Sequence, residues 1–449
     1  MSTVFAPKSI SFNSDVPSAP WGFHSAAFLL AFLVALMMSS AVPADEAADS
    51  AEQIGPWNLV ELRKVPAMRW ESQEGPVHSL IYQGEAFEGH PTDVFAFYAS
   101  PATLDGRPAA AGEKYPGVIL IHGGGGTAFA EWVWLWAKRG YCALAMDLSG
   151  SRPHDPVYDD DGVPLRNQAS RPDSRTRLAQ GGPNHGHGEK FNSIGGDVSD
   201  DWPFHAVASV VRAHSLLRSF PEVIADRTAV TGISWGGYTT CLVASVDDRF
   251  RAAVPVYGCG FLYEGESVQK PAIDQLGERR EQWIREYDPS SLLKRCRVPM
   301  LFVNGTNDVH YPLDSYQKSF DVVPGFHQMR IEVKMPHGHP PGWAPQEVGL
   351  FIDSYCRDGQ PLPVPGDVTL QDGNAVVRFT SVVPVEKAFV NYTTDGGLRS
   401  ARNWITQPAE ISNSTITAHV PPEANTWLIT LVDARGASIS TPVHFQPQP

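Results

Sequence analysis

A serine set among glycines, Gly232-Ile233-Ser234-Trp235-Gly236, follows the apolar run Thr228-Ala229-Val230-Thr231 and precedes residues able to form a helix. On a sharp strand-to-helix turn such a serine projects its hydroxyl out of a sheet, and the glycines let neighbouring backbone come close. Ser234 is therefore a candidate nucleophile for acyl transfer. A hydroxyl becomes nucleophilic when a base takes its proton, and an imidazole base needs a carboxylate to fix its tautomer and stabilise its charged form. Asp308, in Gly305-Thr306-Asn307-Asp308, is the candidate carboxylate, with Asp314 as the nearby alternative; Asp147 lies upstream, out of order for Ser, then Asp, then His. Pro336-His337-Gly338-His339-Pro340 offers two imidazoles. His337, first off the expected strand and followed by glycine, is the candidate base; His339 is the alternative, or else a pocket or turn residue.

A second glycine run, His122-Gly123-Gly124-Gly125-Gly126, closes an apolar stretch. Glycines there let backbone N–H groups turn toward a developing oxyanion. The amides of Gly124 and Trp235 are the expected oxyanion hole, and His122, Gly123 and His339 are expected to line the substrate pocket. The run lacks both the dinucleotide-binding spacing and the lysine of a phosphate-binding loop. Each motif alone also fits a bland turn. Their order along the chain is what singles out nucleophilic catalysis.

Those residues must be held by strands and helices. From Tyr115 onward short β-branched runs alternate with amphipathic stretches, the pattern of βα units on a mainly parallel sheet. Strands are expected at 117–121, 142–147, 228–233, 252–257, 300–304 and 330–335, with an antiparallel lead-in pair at 78–84 and 93–100. Helices fit 129–139, 202–218 and 236–245. Residues 149–199 are rich in Gly, Pro, Asp and His without a clear period, and read as a lid-like insertion. After a Pro-rich linker at 361–366, six short strands (367–370, 375–380, 387–393, 414–419, 426–433, 438–445) suggest a β-sandwich of residues 367–449, with Trp404 and Trp427 as core residues.

The chain has 449 residues, 42% of them hydrophobic and 19% charged, which suits globular domains. A formal net charge of -14 argues against nucleic acid as a partner. The apolar run from Ser25 to Met38, followed by Val42-Pro43-Ala44, reads as a signal peptide over 1–44; it is shorter than a membrane-spanning helix needs. Residues 45–76 then form an N-terminal extension. The expected location is secreted or periplasmic, with no stable membrane association after cleavage. Five cysteines cannot pair completely; Cys142 and Cys241 read as buried thiols, and Cys259 with Cys296 is a candidate disulfide. No spacing reads as a metal site.

With these motifs in place, the stretch from about Val77 to Asp358 resembles the α/β-hydrolase superfamily. The resemblance is to its esterase and dienelactone-hydrolase-like branch, which shades into the prolyl-oligopeptidase-type peptidases. It is carried by His122-Gly123-Gly124, Gly232-Ile233-Ser234-Trp235-Gly236-Gly237, Gly305-Thr306-Asn307-Asp308 and Pro336-His337-Gly338-His339. The layout is also similar to secreted acetyl-xylan-esterase-like and PhoPQ-activated-protein-like hydrolases with a β-rich tail. The resemblance implies an α/β-hydrolase sheet with helices on both faces over 77–360 and cofactor-free hydrolysis of an ester through an acyl-enzyme. A small-molecule or carbohydrate ester is the expected substrate. A secreted serine peptidase would use the same residues, and a non-catalytic binding protein on a hydrolase scaffold is the alternative of another class.

Overall fold

The computed structural model describes residues 52–165 and 175–446, so the expected signal peptide and residues 166–174 of the insertion lie outside the described residues. Nine strands in chain order build the N-terminal part of the large sheet: β1 (Met68–Ser72), β2 (His78–Gln83), β3 (Asp93–Ala99), β4 (Tyr115–Ile121), β5 (Cys142–Met146), β6 (Val223–Ile233), β7 (Ala252–Val256), β8 (Met300–Gly305) and β9 (His327–Glu332). The order across the sheet is β1-β2-β3-β5-β4-β6-β7-β8-β9, antiparallel from β1 to β5 and parallel from β5 to β9. Val118, Ile119, Leu120 and Ile121 of β4 are all completely buried. Strands covered on both faces need such continuous apolar runs rather than alternation. The covering helices, on both faces, include α1 (Ala130–Lys138), α2 (Trp202–Ser219), α3 (Trp235–Val246), α4 (Leu313–Asp321) and α5 (Gln346–Cys356).

The C-terminal region is β-rich and sandwich-like. Strands β10 (Val364–Gln371), β11 (Asn374–Thr380), β14 (Glu410–Ser412) and β15 (Thr415–His419) form one four-stranded sheet. Facing it are β12 (Val385–Thr393), β13 (Ile405–Pro408), β16 (Thr426–Asp433) and β17 (Ser438–Ser440), with β18 (His444–Phe445) on β16. Val377, Ile416 and Ala418 meet Val390, Trp427, Ile429 and Leu431 in a core of their own, so Trp427 is a core residue.

Several details differ from the sequence reading. The facing sheet is no separate layer: β17 pairs with β9 at Met329 and Ser440, continuing the sheet of β1 to β9. The stretch 361–366 is built in, with β10 starting at Val364 and Gln328 Nε2 donating to the Pro363 carbonyl at 2.7 Å. The extension before residue 77 contributes β1 and the buried Trp57, Leu59 and Leu62. The last parallel strand runs 327–332 rather than 330–335, because Lys334 turns the chain at φ 57° and Met335 returns to the core from a loop. The expected strand 438–445 breaks into β17 and β18 around Pro442, which has no N–H for a ladder. All five cysteines are free and buried, so Cys259 and Cys296 do not pair.

Candidate active site

The turn at residue 234 joins the end of β6, near the centre of the sheet, to α3. Ser234 has φ 59° and ψ −118°, a conformation that side chains other than glycine rarely adopt and that persists only where the surroundings enforce it. The enforcing contacts are with backbone. A Cβ on Gly232 would lie 2.2 Å from the Gly236 carbonyl oxygen, and one on Gly236 would lie 2.1 Å from that of Ile121. Glycine at both positions is thus a steric requirement of the turn.

Asp308 and His337 reach Ser234 from the loops after β8 and β9. His337 Nε2 is 2.9 Å from Ser234 Oγ, and its Nδ1 is 2.6 Å from Asp308 Oδ2. An ionised carboxylate only accepts, so Nδ1 carries the proton and Nε2 is left to accept from the serine hydroxyl. The other oxygen of Asp308 accepts the amides of His310 at 2.8 Å and Tyr311 at 2.9 Å, which fixes the buried carboxylate. The His337 ring lies against Tyr257 and His310, each 4.6 Å away centre to centre, while 25% of its side chain stays open to solvent. A proton can therefore pass between Oγ and Nε2 while the ring keeps one orientation.

The glycine turn after β4 stands beside this relay. A Cβ on Gly123 would lie 3.0 Å from Ser234 Cβ, and one on Gly124 would lie 2.7 Å from Trp235 Cδ1. The amides of the turn have separate fates. Gly123 N–H donates to His339 Nε2 at 2.9 Å, Gly125 N–H to His185 Nε2 at 3.0 Å, and Gly126 N–H to the Gly123 carbonyl at 3.0 Å. Gly124 N–H meets no acceptor among the described residues. Trp235 opens α3, where the first N–H groups of a helix have no intrahelical acceptor.

Other expected residues sit elsewhere. His339 makes no hydrogen bond to Ser234 or Asp308 among the described residues; its Nε2 is occupied by Gly123, its ring lies 4.6 Å from that of Phe129, and burial holds its pKa down at about 3. His122 is not a pocket lining: it is 3% exposed, donates Nδ1–H to the Gly123 carbonyl at 2.7 Å and accepts the Leu148 amide at 2.8 Å. Asp314 faces Arg399 at 3.5 Å, and Asp147 accepts the hydroxyls of Thr127 and Ser149, each at 2.6 Å. The sequence reading gave no role to Asn307, whose Nδ2 donates to the carbonyls of Ser400 and Arg402 and ties the carboxylate loop to the C-terminal region. It also missed the buried Lys190, whose ammonium lies 5.1 Å from the rings of both Trp202 and Trp235 and whose pKa burial pushes down to about 8. No periodicity in 149–199 marks Lys190. Among the described residues no cluster of three His, Cys, Asp or Glu side chains could hold a metal ion, and a cavity of about 970 Å3 beside Trp70, Trp134 and Glu222 contains none of the three relay residues.

Residues 179–338 match the prolyl oligopeptidase family. An uncharacterized peptidase of Bacillus subtilis, YuxL, is 23% identical over 266 residues, covering 54% of this chain; the chain spans only 33% of that protein's length. Among solved structures, an acetyl xylan esterase from Paenibacillus sp. R4 is similar at TM-score 0.48 and 20% identity, covering 66% of this chain and 92% of that one. An acylaminoacyl peptidase from Pyrococcus horikoshii is similar at TM-score 0.39 and 16% identity, covering 63% of this chain and 40% of that one. The sheet order and the serine on the turn after a central strand give this chain an α/β-hydrolase fold, and its residues 179–338 are similar to the prolyl oligopeptidase family.

Proposed function

We propose that the protein hydrolyses carboxylic esters through an acyl-enzyme on Ser234. The observation that carries this reading is the unbroken relay Ser234 Oγ, His337, Asp308, with the unbonded Gly124 amide beside Trp235. His337 Nε2 takes the hydroxyl proton as Oγ attacks the ester carbonyl carbon. The carbonyl oxygen becomes an oxyanion that accepts from the Gly124 and Trp235 amides. Collapse breaks the bond to the alcohol oxygen, which leaves with the proton from His337. Water then attacks the acyl carbon, giving a proton to His337; collapse breaks the bond to Ser234 Oγ, which takes that proton from His337, and the acid leaves with the serine hydroxyl and neutral imidazole restored. No cofactor enters these steps.

A carbohydrate ester is the substrate we favour. The apolar N-terminal run supports export toward extracellular polymers, and the β-rich region adds a surface beside the carboxylate loop, joined to it through Asn307. The match of residues 179–338 favours a second reading, peptide hydrolysis by the same relay. The test is fluorophosphonate labelling of the wild type and Ser234→Ala, followed by assays on acetylated xylan, a p-nitrophenyl ester and a peptide anilide. Labelling confined to the wild type and acetate release are the expected results. Peptide cleavage without ester cleavage would overturn the ester reading, and labelling that survives in Ser234→Ala would remove Ser234 as nucleophile.

A further inference from the structure

The glycine turn is flexible by composition, yet the chemistry above needs one of its amides aimed at a developing charge. Two imidazoles hold it. From the insertion, His185 Nε2 accepts the Gly125 amide; from the loop that carries His337, His339 Nε2 accepts the Gly123 amide. Between these two anchored residues stands Gly124, whose N–H has no acceptor among the described residues.

Each imidazole is set to accept. Arg175 Nη1 donates to the Gly126 carbonyl at 2.6 Å and lies 3.2 Å from His185 Nε2, so two donors face that nitrogen and the ring proton must sit on Nδ1. His185 Nδ1 is buried without a hydrogen-bond partner. An unsatisfied buried N–H carries a standing penalty, and such groups collect where function retains them. Burial, with His122, Lys190 and Arg175 nearby, holds the pKa of His185 down at about 2, so the ring stays neutral. His339 is wedged beside Phe129 and Trp343, and a Cβ on Gly126 would lie 2.8 Å from its Nε2. Glycine at 126 is what lets that ring close on the turn.

We propose that His185 and His339 are positioning residues that clamp the glycine turn from two sides and present the Gly124 amide to the substrate oxyanion. This rests on the reading of Gly124 as an oxyanion donor. It makes the insertion at 149–199 a working part of the catalytic apparatus through His185.

The test compares His185→Leu and His339→Leu with His185→Gln and His339→Gln, whose amide oxygens can still accept. Active sites are counted by fluorophosphonate titration, and p-nitrophenyl ester hydrolysis is measured with binding of a trifluoromethyl ketone, which forms a tetrahedral oxyanion on Ser234. A displaced donor costs about 100-fold in kcat, so each Leu variant should lose that much per titrated site with KM little changed. Affinity for the ketone should fall in parallel, and Gln should restore most of both. Should a Leu variant not fold, Asn at the same position, too short to reach the glycine amide, replaces it in the comparison. Unchanged kcat per titrated site, or equal losses in the Leu and Gln variants with ketone affinity intact, overturns the clamp alone. A wild type that neither labels at Ser234 nor cleaves esters or peptides overturns the enzyme reading, and the clamp with it.

Discussion

At the scale of single residues, the choice between two histidines shows what geometry adds to composition. His337 and His339 are two positions apart, and either imidazole has the chemistry of a base. Only His337 bridges Ser234 and Asp308; the Nε2 of His339 instead accepts the Gly123 amide. Asp308 accepts Nδ1–H of His337 and so keeps Nε2 free for the serine proton. Asp308→Asn should preserve the fold but allow the opposite tautomer, lowering kcat by about 10,000-fold. Steady-state kinetics per titrated site check this; a loss under tenfold would mean that another group orients the base.

At the scale of elements, the parallel strands bring their C-terminal ends to one rim, and the loops leaving β4, β6, β8 and β9 carry the glycine turn, Ser234, Asp308 and His337. Strand β9 would be an edge were it not paired with β17. Further ties run from the Ser438 amide to Glu347 Oε1 and from the Val443 amide to Gln317 Oε1, both at 2.6 Å. An exposed sheet edge is a template for association. A chain ending after Asp358 should therefore aggregate or express insolubly, as read by soluble yield and size-exclusion chromatography. A monomeric, active truncated protein would show that the β-rich region is dispensable to the sheet.

At the scale of the whole molecule, buried histidines couple stability to pH. Burial is the main cause that holds His185 down at about 2 and His339 down at about 3, against an ordinary value of 6.5. In the unfolded chain both would bind protons below pH 6.5, while in the folded protein they do not. Stability is thus fully present above pH 6.5 and falls as the pH drops from there toward 3, by about 2 kcal/mol per histidine at pH 5. Urea unfolding at pH 7 and pH 5 should show a lower midpoint at pH 5. Equal midpoints would mean that these rings take up protons without opening the fold.

What the sequence by itself determined was local: apolar β-branched runs that must be buried, glycines where backbone crowds, and a hydroxyl, a carboxylate and imidazoles in one chain order. Propensity and periodicity reach only a few residues along the chain, so they locate strands, helices and turns and nominate Ser234, Asp308 and His337. Tertiary structure decided what depends on residues remote in sequence. Which imidazole meets Ser234, 103 positions from His337, is one such matter; the placement of His185 against Gly125 and the joining of β17 to β9 are others. Hydrogen bonds form or fail over fractions of an ångström, and such distances are set by packing of the whole sheet rather than by neighbours in the chain.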